Sequence, residues 1–235
     1  MSTTHNPQSE AAQSAQSAAS ADAAPLKMVY LHGFASSGAT GTAELLRKLL
    51  PSATVVAPDI PVDPDEALPY LRQYCADEQP DVIVGTSMGA MYAQQMRGFV
   101  RVCVNPAFNM STMSKTLHTG TFKFHNGRRD HQKEFRITAE IIKHFNMMER
   151  HQFEGITPEE RERCYGLFGN NDKTVNPINA YNTFTKYYVH AERFEGEHQL
   201  NERSVRHALL PLLKRIFGAR YEASAREPLP DYMKY

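Results

Sequence analysis

The chain has 235 residues, and its 26 basic side chains balance 26 acidic ones, with a pI near 7.2. That balance offers no electrostatic footing for nucleic acid or another polyanion, and no apolar run approaches the roughly 20 residues that span a bilayer. Cys75, Cys103 and Cys164 form no C-x-x-C pair and read as buried, reduced thiols of a cytoplasmic protein.

Residues 1–24 are Ala, Ser, Gln and Thr with almost nothing large and apolar. They have neither the basic start and Leu-rich core of a secretory signal nor the arginines of a transit peptide. Such a stretch cannot offset its ordering entropy and reads as a disordered tail. One domain is expected over residues 25–218. A first strand runs from Lys27 to His32 and a loop from Gly33 to Gly41, followed by a helix from Thr42 to Leu50 that Pro51 closes. A second strand, Ala53–Ala57, stops at Pro58. Asp63-Pro64-Asp65-Glu66 sets an N-cap, a proline and acids at the start of a helix reaching about Asp77. Asp81–Thr86 is a third strand, with a helix beyond Ser87, and Arg101–Val104 is a fourth ending at Asn105-Pro106. The polar segment 107–163 includes a helical stretch from Phe135 to His151. Cys164–Gly169 and Val189–Phe194 are the fifth and sixth strands. Asn176-Pro177 opens a helix to about Tyr187, and Glu202–Phe217 is a final amphipathic helix. Residues 219–235 read as an irregular tail.

Strands alternating with helices in this way make a mostly parallel sheet with helices on both faces. Sites of such sheets lie at the carboxyl ends of the strands. Gly85-Thr86-Ser87-Met88-Gly89 stands at one of those ends. It spells G-x-S-x-G, the strained strand-to-helix turn on which α/β-hydrolases raise their nucleophile. Alone, the pentapeptide is as compatible with an ordinary glycine-flanked turn. A serine nucleophile needs an imidazole to take its proton, and the imidazole needs a carboxylate to orient it. Asp172 follows the fifth strand and His198 the sixth, in the chain order Ser…Asp…His of that fold. Either alone reads more readily as a surface or loop residue; the three together make chance a poor account. Main-chain N–H groups of Met88 and Phe34, with Ala35 as the alternative to Phe34, are the expected oxyanion donors. His32 reads chiefly as a histidine shaping the turn, and is named with Phe108 and Met110 as a candidate substrate contact.

The chain resembles the YqiA-like esterases, compact α/β-hydrolases. The resemblance lies in Tyr30-Leu31-His32-Gly33-Phe34-Ala35-Ser36-Ser37, Gly85-Thr86-Ser87-Met88-Gly89, Val104-Asn105-Pro106-Ala107 and the loops of Asp172 and of Gly196-Glu197-His198, and covers roughly residues 27–217. It implies an α/β-hydrolase fold and cleavage of short acyl esters or thioesters without metal or cofactor. Ser87 would be the nucleophile, His198 the base and then acid, and Asp172 the orienting carboxylate. The family usually has serine before the nucleophile and Leu-Gly-Gly after it, where this chain has Thr86 and Met88-Gly89-Ala90; Met88 is expected to narrow the pocket.

Segment 107–163 falls where α/β-hydrolases insert caps. Its Phe108, Met110, Met113, Phe122 and Phe124 would line an apolar acyl pocket, and Arg128-Arg129 could meet an acidic leaving group, although packing on the sheet is the plainer reading. The histidines His118, His125, His131, His144 and His151 lack metal-ligand spacing. A P-loop at Gly33–Thr40 fails because Ala39 replaces the lysine, and a histidine phosphatase fails because Leu31 stands where an arginine is needed. What remains is a serine esterase acting on a small-molecule ester or thioester of short to medium acyl length. A non-catalytic binding protein on a hydrolase fold, or an acyltransferase with the same triad, stands as the alternative.

Overall fold

The computed structural model describes residues 23–113 and 115–228. The sheet order is β2 (Thr54–Val56), β1 (Lys27–Leu31), β3 (Val82–Thr86), β4 (Val100–Val104), β7 (Cys164–Gly169), β8 (His190–Phe194), every pair parallel. Strands buried on both faces read as continuous apolar runs, and here alternate residues feed opposite cores. Met28, Tyr30, Val82, Val84, Val102 and Val104 face one layer, while Val29, Leu31, Ile83 and Cys103 face the other. The first layer is closed by α1 (Gly41–Leu49) and the carboxyl-terminal helices. The second is closed by α2 (Pro64–Glu78), α3 (Met88–Ala93), α4 (Ala139–His151) and α6 (Pro177–Tyr187). The chain places β2 on one side of β1 and β3 on the other, so the order reverses between β1 and β3. Parallel sheets open their binding crevice at such a reversal.

The element starts follow local chemistry. Asp63 accepts from Asp65 N–H at 2.9 Å and Asn176 from Ile178 N–H at 3.1 Å, each just before a proline in the first turn. Segment 107–163 departs from its expected form. A 3₁₀ turn (Met110–Thr112) leads into an antiparallel hairpin of β5 (Gly120–Lys123) and β6 (Glu134–Ile137), then α4 and the short α5 (Pro158–Glu162). Phe135 therefore lies in a strand, and the helix starts only after Thr138, whose hydroxyl accepts from Ile141 N–H. Apolar Phe122, Phe124, Phe135 and Ile137 alternate with polar neighbours, the period of a strand. His144 Nδ1 lies 2.9 Å from Asp63, tying α4 to the start of α2, and Asp65 joins that cluster.

The last helix is also not uniform. α7 (Glu202–Ser204) widens into a π turn (Val205–Leu209) before α8 (Leu210–Phe217). Pro211 has no N–H to donate one turn back, and the wider turn accommodates the gap. The expected irregular course beyond Gly218 is replaced by α9 (Ala219–Ala225). That helix clasps the amino ends of β1 and β3. Arg220 forms a fork on Asp81 with both contacts at 2.6 Å, and Asp81 is held below its ordinary pKa by Arg220 and Lys27 despite partial burial, which acts the other way. Buried Ser224 accepts from Leu26 N–H at 2.8 Å. The reading of 1–24 as disordered falls almost wholly on residues 1–22, outside those described, as does 229–235 of the tail. Among the described residues no helix is long and apolar enough to cross a membrane.

Ser224→Ala strands the buried Leu26 N–H. Urea unfolding is expected to show a loss of about 1–3 kcal/mol, and an unchanged midpoint would mean that α9 is not held through this bond.

Candidate active site

The site is built on a contact between backbones. A Cβ on Gly89 would lie 2.1 Å from the Leu31 carbonyl oxygen, and one on Gly85 would lie 2.3 Å from that of Gly89. Only glycine fits either place. Between them Ser87 takes φ 56° and ψ −119°, a strained conformation for a side-chain-bearing residue. The turn is held from several sides: Ser87 N–H donates to the Val104 carbonyl, and Ala107 N–H donates to the Ser87 carbonyl. The serine thus stands at the carboxyl end of β3, beside the end of β1, where a Cβ on Gly33 would lie 4.0 Å from Ser87 Oγ.

The structure brings Ser87, His198 and Asp172 together. His198 Nε2 is 2.9 Å from Ser87 Oγ, and its Nδ1 is 2.7 Å from Asp172 Oδ2. The other carboxylate oxygen accepts from Thr174 N–H at 2.7 Å and Val175 N–H at 2.9 Å. Those bonds fix the carboxylate plane. The Asp172 side chain is 1% exposed and that of His198 17%, so the acid is sealed while the imidazole still reaches the cavity.

One residue of this assembly carried no role in the sequence. Asn105, at the end of β4, is buried with φ 46°. Its Oδ1 accepts from Gly169 N–H at 2.7 Å, and its Nδ2 donates to the carbonyls of Glu197 and His198 at 2.9 and 3.0 Å. It therefore locks the end of β7, which leads to Asp172, to the loop that carries His198. Asparagine tolerates left-handed backbone better than most residues; its signals in the sequence were Asn-Pro after an apolar strand and a place in one of the motifs that carry the resemblance.

A cavity of about 550 Å³ opens over Ser87 and His198. Phe34 and Met110 line it, and Met88 is the first residue of α3. The Met88 side chain is buried in a separate recess with His32, Ile60, Phe124 and Phe135, so it does not narrow the cavity. His32 and Phe108 also do not reach the cavity. Phe108 packs on Phe153, with ring centroids 5.1 Å apart, and borders a second hollow of about 240 Å³. His32 bridges main chain instead: Nδ1 donates to the Gly33 carbonyl at 2.8 Å, and Nε2 accepts from Ile60 N–H at 3.0 Å. Burial pushes its pKa down to about 4, which keeps the ring neutral.

Phe122, Phe124 and Phe135 form a cluster that receives the Phe34 ring edge-on, 5.5 Å from both Phe122 and Phe135. Neither Phe122 nor Phe124 lines the cavity. The arginine pair is likewise engaged elsewhere. Arg128 lies 4.4 Å above the Phe124 ring and pairs with Asp130, while Arg129 bonds Asp59 and the Ala57 carbonyl. The loop after β1 is joined to this hairpin at three successive residues. Ala35 accepts from His125 N–H at 2.7 Å, Ser36 Oγ donates to Asn126 Oδ1 at 2.9 Å, and Ser37 Oγ donates to the Gly127 carbonyl at 2.8 Å.

Two measurements probe this framework. A histidine with its folded pKa near 4 and its unfolded pKa near 6.5 binds protons more readily unfolded, so its stability contribution is complete above pH 6.5 and lost as pH falls towards 4. Urea unfolding should weaken over that window by up to about 3 kcal/mol more in the wild type than in His32→Gln, which cannot titrate; parallel pH profiles would overturn it. Asn105→Gly keeps the left-handed backbone and removes three hydrogen bonds. The low-field Nδ1–H resonance of the His198–Asp172 pair should broaden or vanish, and an unshifted resonance would show that Asn105 does not position His198.

Comparison with solved structures gives several matches over most of the chain. Est1E from Butyrivibrio proteoclasticus is 13% identical, with 83% of this chain and 89% of that chain covered and a TM-score of 0.58. The esterase domain of a Rhodothermus marinus protein is 15% identical with the same coverage and TM-score. MGS-MChE2, an α/β-hydrolase enzyme from the metagenome of Moroccan lagoon sediments, is 13% identical, with 84% and 93% covered and a TM-score of 0.52. At such identities the likeness establishes the fold, and the fold is that of the α/β-hydrolases. Comparison with curated proteins gives no match. Residues 27–212 match the Uncharacterised protein family (UPF0227), and the chain belongs to that family, the one its YqiA-like motifs resemble.

Proposed function

We propose that the protein is a serine esterase cleaving carboxylic esters or thioesters of short to medium acyl length. The observation that carries the reading is the continuous run of bonds from buried Asp172 through His198 to Ser87 Oγ, at 2.7 and 2.9 Å. Fold alone would not carry it, since one fold serves many functions. The name of the Rhodothermus marinus esterase domain points the same way.

On this reading the reaction runs as an acyl transfer through Ser87. Ser87 Oγ attacks the ester carbonyl while His198 Nε2 takes its proton. Asp172 holds the imidazole with Nδ1–H towards itself and stabilises the imidazolium. Negative charge growing on the carbonyl oxygen is received by the N–H groups of Met88 and Phe34, fixed dipoles that need no reorganisation. Nε2–H then passes its proton to the departing alcohol or thiol, leaving an acyl-Ser87. Water enters from the cavity and its oxygen attacks the acyl carbon while Nε2 takes a proton from it; the bond to Ser87 Oγ then breaks, Nε2–H returns the proton to Oγ, and the acid is released. Segment 107–163 acts as the cap, since Met110, Met113 and Asn126 close one side of the cavity. No residue of the scheme calls for a metal or cofactor.

A fluorophosphonate probe should add once per chain, on Ser87, and not at all to Ser87→Ala. Turnover of phenyl acetate should fall by roughly 10⁴-fold or more in Ser87→Ala and His198→Ala, and by about 10⁴-fold in Asp172→Asn. Turnover persisting in folded Ser87→Ala would overturn the mechanism. Adduct formation without hydrolysis, rescued by an added alcohol acceptor, would mark an acyltransferase instead.

A further inference from the structure

The walls of the cavity over Ser87 are chemically unequal. On the insertion side stand Met110 and Met113, two apolar thioethers, together with polar Thr116, His125 and Asn126. On the side of β1 and α1 hydroxyls predominate, those of Tyr30, Ser36, Thr40 and Thr42, beside the Phe34 ring. Tyr30 OH lies 2.7 Å from Thr86 Oγ1, and Thr42 lines the same cavity, so that three hydroxyls gather on this wall. Thr40, next to them, precedes α1 without using its hydroxyl as a cap.

The cluster leaves hydrogen-bonding capacity over. Three hydroxyls carry three donors and up to six acceptor sites. The bond between Tyr30 and Thr86 uses one donor and one acceptor, so two donors and several lone pairs remain for whatever enters. Tyr30 is 2% exposed on a core strand whose other inward residues are Met28, Val29 and Leu31. A phenylalanine there would satisfy packing alone. The hydroxyl brings polarity to the edge of the cavity and makes this wall a poor solvent for hydrocarbon, because an alkyl chain would cover those lone pairs without replacing their water. Among the described residues no Asp, Glu, Lys or Arg lines the cavity; its titratable side chains besides Tyr30 are His125 and His198, the latter already bonded to Ser87 and Asp172. The partner such a wall suits is uncharged, rich in oxygen, and both a donor and an acceptor. That is a hydroxylated carbon skeleton.

We infer that the ester taken by Ser87 bears free hydroxyl groups close to the scissile bond, as in an acylated glycerol or sugar or a hydroxy-acyl ester, and that Tyr30, Thr42 and Thr86 recognise them while the opposite, apolar half of the substrate lies against Met110 and Met113. The inference rests on the esterase reading and narrows it.

Hydrolysis of matched pairs tests it: glycerol monoacetate against n-propyl acetate, acetylated methyl glucoside against cyclohexyl acetate, and ethyl 3-hydroxybutyrate against ethyl butyrate. The first two pairs place the hydroxyls on the alcohol and the third on the acyl group, so the preferred pair also fixes the side of the ester. In at least one pair, kcat/KM for the hydroxylated member should exceed that of its hydrocarbon match by about tenfold or more. Thr42→Val and Tyr30→Phe should each cut that ratio at least threefold, and Thr42→Ser, which restores the hydroxyl, should return it. Thermal melts verify that each variant is folded. Equal or reversed ratios in all three pairs, or a ratio indifferent to both variants, would overturn the inference. If fluorophosphonate labelling of Ser87 and phenyl acetate turnover persist in that case, the esterase reading stands without it. Loss of both from folded wild type would remove the esterase reading itself.

Discussion

Everything at the site depends on how closely the end of β3 approaches the end of β1. The carbonyl of Leu31 lies where a Cβ on Gly89 would be, and the carbonyl of Gly89 lies where a Cβ on Gly85 would be. Backbones can pack this tightly only through glycine, and the residue between the two glycines is left at φ 56°. Strain of this kind, of order 1–3 kcal/mol, persists only where the surroundings over-determine it. Here they do. β3 is central in the sheet and buried on both faces, and the serine carbonyl is already committed to N–H groups of Ala90, Met91 and Ala107.

A second constraint sets the distance between the other two members. Asp172 and His198 sit on loops after neighbouring strands, and loops drift unless tied. Main-chain bonds from Asn170 to Phe194 and from Asn171 to Gly196 join the loops to each other. Asn105 then joins both to the end of β4, the strand paired with β3 beside Ser87. A carboxamide, with a donor end and an acceptor end, is the smallest side chain able to serve an N–H and two carbonyls at once. Asp172 and His198 are therefore tied to the sheet by one side chain and to each other by main-chain bonds.

The sheet, and the meeting of Ser87, Asp172 and His198 at its edge, were legible in the sequence for the same reason. Strand alternation, glycines at a forced turn and the order Ser87, Asp172, His198 are local or ordered signals, and the backbone converts them into position. Segment 107–163 was not legible in the same way. Phe135 read as helical because it precedes a helix-forming run, while its pairing with Phe122 across the hairpin is a contact that spacing does not encode. The tail beyond Gly218 failed likewise: Ala219–Ala225 has weak helical signals of its own, and its clasp runs through Asp81 and Leu26, far away in the chain. His32 could be read as shaping its turn, but not as bonding Ile60. Asn105 lay in plain sight with no role, because the N–H and carbonyls it serves belong to segments 64 and 92 or more residues away.

The aromatic residues of the insertion show why composition alone misplaces a pocket. Phe122, Phe124 and Phe135 suggest an apolar binding surface when counted in sequence. In the fold they take the Phe34 ring into their cluster, and three hydrogen bonds from the same hairpin hold Ala35, Ser36 and Ser37. Apolar mass is thus placed behind the loop whose N–H would meet the oxyanion, where rigidity matters most. Burying those rings removes them from the cavity and leaves its opposite wall to the hydroxyls of β1, β3 and α1. The same packing that stiffens the loop therefore determines what kind of molecule the cavity can hold.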